Sequence, residues 1–364
     1  NNMKLHLLFI GNKFIYNTSL KEYIVRNVQK NCDFISSTTH FQEGDNSLFL
    51  YLEQELENED KLVIVTTKSN FSTVGKLLST ITSDNQVLKD SLLVPSKVTN
   101  YKDRSYLLTY KNASANVIAM DEEQMMPEIL LSLVTNKETI NIFNETKEDA
   151  LALLNPLAQT YDVNLAMVVI IDGWLQVEIQ SKKYGNITNF IESSKQLLSN
   201  KLITHANIIT HIIETLSSHG KKISFAESCT GGLLSYYFTA QNGASQILDG
   251  SLITYSNHLK DNWLAVSDDS LQEYGAVSNV VVEQMSEGAM NVSNADYTIG
   301  VSGIAGDTGG TDLKPVGTVH ISVRTKTQHK EVELHLRGDR NYVQYQSVLY
   351  AIKLLLSTDR EVFF

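Results

Sequence analysis

A strand-to-helix turn rich in small polar residues is the segment of this chain best suited to chemistry. Residues Ala226–Gly232 (AESCTGG) follow an alternating apolar run, Lys222–Phe225, that predicts a strand, and precede Leu233–Phe238, which predicts a helix. Such a turn can expose a nucleophile beside the free backbone N–H groups of a helix N-terminus, which can stabilise an oxyanion or hold a phosphate. The alternative, to which we give equal weight, is a tight corner without chemistry.

Ser228 is the candidate nucleophile of this turn, and a serine hydroxyl needs an adjacent base. The candidate segments offer no histidine with an orienting carboxylate, so Lys260, which follows Tyr255 at the end of another apolar run, is the remaining choice. A desolvated lysine with a lowered pKa can remove a serine proton. Tyr255 could relay that proton or hold the lysine in place. The reaction class implied is hydrolysis of an amide or an ester.

Each of these residues also has an ordinary structural interpretation. Lys260 could be a solvated surface lysine, which is the usual fate of lysine, and Tyr255 could cap a strand end. Cys229 could be the nucleophile instead, because a helix N-terminus lowers the pKa of a thiol, although a buried and inert thiol is the commoner case. His258 is more typical of a surface or turn histidine than of a base.

Two further segments could contact a ligand. The loop Val301–Gly310 is rich in glycine and alanine, which let a backbone approach a ligand closely, and Arg337–Arg340 brings a cation. Arg340 could equally pair with Asp339 or Asp307. The loop lacks the lysine of a P-loop, and the chain contains no H-E-x-x-H or EF-hand pattern, so we expect neither a metal nor a cofactor.

Net charge and cysteine content limit the kinds of partner and compartment that we expect for this protein. The 364 residues carry a formal net charge of −11, which disfavours direct binding to nucleic acid or to an anionic membrane. The two cysteines, Cys32 and Cys229, cannot form a disulfide framework and suit a reducing compartment. The first apolar run, Leu5–Ile10, is too short for a signal peptide or a spanning helix, so we expect a cytoplasmic protein. Asn1 and Asn2 are set aside from fold reasoning.

The alternation of predicted strands and helices indicates an α/β chain of three regions, 3–136, 137–200 and 201–364. In the first region we expect a largely parallel sheet, with a hairpin of Tyr106–Tyr110 and Ala115–Met120 at its edge. The second region has the order β-α-β-β-α of a small α+β module, with a type I′ turn signal at Asp172-Gly173. The third region is again α/β.

The third region closely resembles the C-terminal domain of the CinA (competence/damage-inducible) family, which also occurs alone as the nicotinamide-nucleotide amidase PncC. Order and spacing of the family's motifs are kept over about 160 residues. The motifs that carry the resemblance are 226–232, Tyr255-Ser256-Asn257 with Lys260, Tyr274–Ser278, Gly303–Gly306, Lys314–Val319 and Gly338–Arg340.

The resemblance implies hydrolysis of the carboxamide of nicotinamide mononucleotide to nicotinate mononucleotide and ammonia, without a metal or a cofactor. It assigns the attack to Ser228, the base to Lys260 and an assisting role to Tyr255. It also implies that Arg340 and the Gly303–Gly306 loop face the ribose phosphate. The full set of substrate-binding residues that it implies is Thr230, Gly231, Gly232, Ser302, Gly303, Ala305, Gly306 and Arg340.

This chain departs from the family pattern in two places of that loop. Asp307 stands where the family usually has proline, and a carboxylate is unfavourable beside a phosphate, so it either points outward or marks a different substrate specificity. Ser302 replaces a common threonine and keeps the hydroxyl.

The first region resembles the N-terminal domain of full-length CinA, which is similar to molybdopterin-binding proteins and is linked to a metal-dependent ADP-ribose pyrophosphatase. Gly11–Ile15 and Thr66–Phe71 occupy its two signature positions but lack the acidic pair and the glycines that a metal and a diphosphate require. We therefore predict that this domain has lost the activity and remains as a scaffold or a dimerisation unit. Full-length relatives tend to dimerise, so we expect a homodimer. The second region resembles the CinA linker domain.

Two other functions remain open from the sequence. One is a non-catalytic, nucleotide-binding partner protein in competence or the DNA-damage response, in which Ser228 merely contacts the nucleotide. The other is a residual pyrophosphatase in the first region. The position of the Lys260 amine distinguishes the amidase from the non-catalytic partner protein. A buried amine within reach of Ser228 supports the enzyme, whereas an exposed amine supports the binding protein.

Overall fold

The computed structural model describes residues 4–364, so Asn1–Met3, including the two residues set aside above and the expected start of the first region, lie outside it. The chain divides into two compact units, with the boundary between Thr135 and Asn136. The second and third predicted regions therefore lie in one unit. Across the described residues, no helix combines the length and the apolar character needed to cross a membrane.

The first unit alternates strands and helices before it ends in a run of short strands. A 3₁₀ turn at Lys68–Asn70 leads directly into its fourth helix. The elements are β1 Leu5–Ile10, α1 Lys13–Tyr16, α2 Thr18–Asn31, β2 Ser37–Phe41, α3 Leu48–Glu57, β3 Lys61–Thr66, α4 Phe71–Ile81, β4 Gln86–Lys89, β5 Leu92–Pro95, β6 Val98–Lys102, β7 Ser105–Tyr110 and β8 Ala113–Ala119.

The main sheet of this unit has the order β2-β1-β3-β8-β7-β6 in the described chain. Strands β2, β1, β3 and β8 are parallel, whereas β7 and β6 are antiparallel to their neighbours. The predicted hairpin forms as β7 and β8. The prediction that it lies at the sheet edge is wrong, because β8 lies next to β3 inside the sheet and β6 forms the edge. Every residue of β8, Ala113–Ala119, is buried, because a strand of small and apolar residues can be covered on both faces at the centre of a sheet.

The second unit begins with an antiparallel sheet of order β10-β11-β9-β12, packed against two helices. The turn Asp172-Gly173 joins β10 and β11, where Ile171 pairs with Trp174, as the sequence predicts. Its elements are β9 Lys137–Phe143, α5 Lys147–Thr160, β10 Val163–Ile171, β11 Trp174–Ser181, α6 Ile187–Leu197 and β12 Leu202–Ile203.

The rest of the second unit is a mixed sheet with helices, so the described chain is an α/β protein. The elements are α7 Ile208–Ser218, β13 Ile223–Glu227, α8 Leu233–Thr239, β14 Leu248–Ile253, α9 Asn257–Leu264, α10 Asp268–Glu273, α11 Asn279–Val292, β15 Tyr297–Gly303, β16 Thr318–Thr325, β17 His329–His335, α12 Arg340–Thr358 and α13 Arg360–Phe363, with a 3₁₀ turn at Ala244–Gln246.

The order of this sheet, β14-β13-β15-β16-β17, positions the candidate site. Strands β14, β13 and β15 are parallel neighbours, so their carboxyl ends meet at one edge. Ser228 follows β13, Thr254 and Tyr255 follow β14, and Gly303 ends β15. Ligand sites of open α/β sheets lie outside the carboxyl ends of the strands, and the candidate residues collect there.

Candidate active site

The turn that carries Ser228 is held by backbone hydrogen bonds on both sides. The Ser228 N–H donates to the Val301 carbonyl on β15 at 3.0 Å, and the Ser228 carbonyl accepts from Gly231 N at 3.0 Å. Gly232 then has a φ of 103°, a left-handed conformation that glycine adopts without strain, and α8 begins at Leu233. The sharp turn predicted from the AESCTGG sequence is present.

Glu227 changes the expected electrostatics of this turn. Its carboxylate is fully buried, and it accepts hydrogen bonds over 2.8–3.1 Å from five donors. The donors are the backbone N–H groups of Gly232, Leu234 and Ser235 and the hydroxyls of Thr230 and Ser251. The expectation of free N–H groups at the start of α8 is therefore wrong, because a carboxylate already neutralises that helix terminus. Sequence analysis gave Glu227 no role, although an acidic residue just before a helix start was a usable signal.

We expect Glu227→Gln to destabilise the turn, because the glutamine NH₂ group would face donors that need an acceptor. The unpaired buried groups should lower the free energy of unfolding by about 1–3 kcal/mol. Chemical denaturation followed by circular dichroism measures this change, with Glu214→Gln as a control on an exposed carboxylate of α7. Equal stability of the two variants would contradict the role assigned to Glu227.

The Lys260 side chain is buried beside the Ser228 hydroxyl. Lys260 lies in α9, a short helix that Ser256 caps and that the sequence analysis did not predict, and its side chain is 1% exposed. Its Nζ lies 3.1 Å from Ser228 Oγ and also donates to the carbonyls of Thr254 at 2.7 Å and Tyr255 at 3.3 Å. The solvated surface position that we considered for Lys260 is therefore excluded.

The position of Lys260 lowers the pKa of its amine. Burial, which disfavours the charged form, brings the pKa down to about 8, and a smaller opposing effect comes from Cys229. Near pH 8 the amine is then present in both protonated and neutral forms. A neutral amine beside a serine hydroxyl can act as a general base.

The other candidate groups of this region lie differently. The Tyr255 side chain is 63% exposed and makes no hydrogen bond to Lys260 or Ser228 in the described chain, so its contact with the lysine is through its carbonyl. Burial raises the pKa of the Cys229 thiol to about 12, which keeps it protonated. His258 is exposed and pairs with Asn262 on the same helix.

A cavity of about 250 Å³ opens beside the lysine–serine pair. Most of the predicted site residues line it. The lining residues are Ser228, Cys229, Tyr255, Lys260, Ala276, Val277, Ser302, Gly303, Ile304, Ala305, Gly306, Thr308, Gly309 and Arg340. Thr230, Gly231 and Gly232 are not among them: they shape the turn, and the Thr230 hydroxyl donates to Glu227.

The glycine-rich loop and Arg340 form another part of the lining of this cavity. A Cβ on Gly306 would overlap the Arg340 guanidinium, so a larger residue there would force the arginine side chain to move. Within residues 4–364, Arg340 forms no ion pair, whereas Asp339 caps α12 by accepting from Tyr342 N at 2.9 Å. The pairing of Arg340 with Asp339 or Asp307 that we considered does not occur. An unpaired guanidinium on a cavity wall suits an anionic ligand.

Polar groups of the loop have two different roles. The buried Ser302 hydroxyl donates to the Ala276 carbonyl at 2.7 Å and so joins two walls of the cavity. The backbone N–H groups of Ala305 and Gly306 donate to no oxygen of the described chain, and both residues line the cavity. Asp307 is exposed and is not part of the lining, which agrees with the first of the two alternatives considered for it, a side chain that points outward.

Comparison with known proteins places this region in a family. Residues 205–358 match the family model described as the CinA C-terminal domain. The chain is 36% identical over 224 residues to a CinA-like protein of Prochlorococcus marinus (strain MIT 9215), a match that covers 58% of this chain and 51% of that protein. It is 44% identical over 147 residues to a putative competence-damage inducible protein of Caldicellulosiruptor saccharolyticus, covering 40% and 36% of the two chains.

The matches thus span about half or less of the length of these relatives. Among solved structures, the competence/damage inducible protein CihA from Agrobacterium tumefaciens is 33% identical, with 42% of this chain and 93% of that chain covered and a TM-score of 0.41.

Proposed function

Because residues 205–358 belong to the CinA C-terminal domain family, we propose that this part of the chain is a serine–lysine amidase. Its substrate is nicotinamide mononucleotide, and its products are nicotinate mononucleotide and ammonia. One observation carries the proposal: a lysine amine that is 1% exposed lies 3.1 Å from the hydroxyl of a serine at a strand-to-helix turn.

The surroundings of Lys260 explain how its amine would act as a base. Three oxygens surround Nζ, and two of them, the carbonyls of Thr254 and Tyr255, can only accept hydrogen bonds. A neutral amine has two N–H groups and one lone pair. With both N–H groups donated to the carbonyls, the lone pair faces the Ser228 hydroxyl and is placed to receive its proton.

In the proposed reaction Ser228 Oγ attacks the carboxamide carbon while Lys260 takes the hydroxyl proton. The Cys229 N–H, which has no oxygen acceptor in the described chain and belongs to a residue of the cavity wall, is a donor for the resulting oxyanion. Lys260 then gives this proton to the departing amide nitrogen, which leaves as ammonia. A water molecule, deprotonated by the same amine, attacks the acyl-enzyme, and Lys260 passes that proton to Ser228 Oγ as the serine is released.

The phosphate of the substrate is assigned to the part of the cavity that Arg340 and the glycine-rich loop line. The unpaired Arg340 guanidinium and the N–H groups of Ala305 and Gly306 supply a cation and backbone donors, the groups that bind phosphate in many proteins. The buried position of Lys260 favours this enzyme over the non-catalytic nucleotide-binding protein, because a binding protein gains nothing from placing a desolvated amine against a serine.

The test is an ammonia-release assay of the full chain with nicotinamide mononucleotide, nicotinamide riboside and NAD. We expect the mononucleotide to have the highest kcat/KM. Arg340→Ala should lower kcat/KM for the mononucleotide about 10- to 100-fold, the value of a charge-assisted hydrogen bond, and leave the riboside nearly unchanged.

Arg337→Ala is the control, because Arg337 is exposed and is not part of the cavity lining. An equal effect of Arg340→Ala on both substrates would remove the phosphate assignment. Failure of the wild-type protein to release ammonia from any of the three compounds would reject the proposed function.

A further inference from the structure

Three metal-ligating side chains converge in the first unit, at the edge of the sheet where the parallel strands begin. His6 lies at the start of β1, Glu55 near the end of α3, and Asp60 directly before β3. His6 Nε2 is 3.3 Å from Glu55 Oε2 and 3.3 Å from Asp60 Oδ2, and the three ligand atoms all lie within 4.8 Å of one another.

These side chains are mostly buried and have an excess of negative charge. His6 and Glu55 are each 9% exposed. In the described part of the chain, no lysine or arginine side-chain nitrogen lies within 4.0 Å of either carboxylate. The Lys4 backbone N–H, which carries no charge, donates to Asp60 Oδ1 at 3.1 Å. The nearby Lys61 directs its amine to Asn112 O and Ser114 Oγ. Two carboxylates and one imidazole in a poorly hydrated position therefore need a cation, because an uncompensated buried charge is costly.

The two distances from His6 Nε2 to the carboxylates, 3.3 Å each, suit a small divalent ion. Zinc binds imidazole nitrogen and carboxylate oxygen at about 2.0–2.2 Å, which places tetrahedral ligand atoms about 3.3–3.6 Å apart. His6 Nδ1 is 2.6 Å from Ser37 Oγ on the neighbouring strand β2. With the ring proton on Nδ1, that hydroxyl accepts it, and the Nε2 lone pair faces the two carboxylates. Such a second partner is usual for a metal-bound histidine.

We propose that His6, Glu55 and Asp60 form a zinc site whose fourth position is taken by water. The site joins α3 to strands β1 and β3 and stabilises the first unit. It is separate from the segments Gly11–Ile15 and Thr66–Phe71, which follow the opposite ends of the same two strands. The competing arrangement is a His6 ring that donates Nε2–H to the carboxylates and binds no metal.

Equilibrium dialysis of the full chain against Zn²⁺, with metal analysis of the protein, tests the proposal. We expect wild type to hold one more equivalent of zinc than His6→Gln or Asp60→Asn. Glu57→Gln, which changes an exposed carboxylate on the same helix α3, should retain the wild-type stoichiometry. Ser37→Ala should weaken the affinity about 10- to 100-fold, as expected for loss of a second partner.

Thermal unfolding of the wild-type protein with and without zinc gives a second readout that needs no variant. Zinc should raise the Tm of the wild-type protein, and a metal-free His6→Gln protein that folds should show no such increase. A wild-type protein that retains no zinc and whose Tm does not change with zinc would overturn the proposal and support the metal-free, hydrogen-bonded His6. Equal zinc binding by wild type, His6→Gln and Asp60→Asn would overturn it as well.

Discussion

Ser228→Ala is expected to abolish ammonia release from nicotinamide mononucleotide without unfolding the protein. The substitution removes the only atom of residue 228 that can form the acyl-enzyme, while the backbone bonds of the turn to Val301 and Gly231 remain. Loss of a serine nucleophile leaves only the contribution of binding and oxyanion stabilisation, so we expect kcat/KM to fall by at least about 10³-fold. Steady-state ammonia release and circular dichroism of the variant measure the two parts of this expectation.

Cys229→Ala discriminates between the two nucleophiles that the sequence left open. The Cys229 thiol is buried, and its pKa of about 12 keeps it protonated at neutral pH. We therefore expect this variant to retain turnover while Ser228→Ala does not. Two results would assign the nucleophile to Cys229 instead. One is wild-type turnover in Ser228→Ala, and the other is loss of turnover in a folded Cys229→Ala protein while Ser228→Ala stays active.

The pH dependence of the reaction should follow the neutral form of Lys260. Because the pKa of the amine is lowered to about 8, the neutral base increases as the pH rises, and the acidic limb of kcat/KM should have its midpoint near pH 8. At pH 8 about half of the amine is neutral, against about 0.3% for a lysine with the ordinary pKa. We expect kcat/KM to rise about tenfold for each pH unit below 7 and to level off above 9.

Lys260→Arg separates the base from the charge. Arginine stays protonated at every pH of the assay, so it keeps a cation near Ser228 but cannot accept a proton. We expect a fall of about 10²–10⁴-fold in kcat/KM and loss of the limb near pH 8. A profile that is flat from pH 6 to 9 in the wild-type protein, or a Lys260→Arg variant within tenfold of it, would exclude Lys260 as the base.

Local sequence patterns predicted much of the element structure. The sequence predicts a helix over Phe71–Ile81, which are the bounds of α4, and the Asp172-Gly173 turn joins the two strands that flank it. Both depend on short-range effects, namely the period of the apolar residues and the conformational preference of Asp-Gly. The sequence analysis predicts no helix at α9, since it takes Lys260 only as a polar residue after the end of an apolar run. The capping serine, Ser256, was a local signal that could have revealed it.

Long-range pairing was less predictable. The β7–β8 hairpin was placed at the sheet edge, whereas β8 lies between β7 and β3. The local sequence predicts that β7 and β8 pair with each other across a short turn. The other neighbour of β8, strand β3, comes from a distant segment of the chain. The register Lys61–Ser114 that joins β3 to β8 has no local signature.

By itself the sequence identified the serine turn, the lysine, the glycine-rich loop and the arginine, because each lies in a short motif of characteristic residue types. Only the tertiary structure decided their physical state. Contacts between residues 32 positions apart bring Lys260 to Ser228, and burial there lowers the pKa of the amine. Glu227 occupies the N–H groups of α8, and Tyr255 contributes its carbonyl while its side chain faces solvent. Burial and hydrogen-bond partners depend on atoms from distant parts of the chain, which a linear motif does not specify.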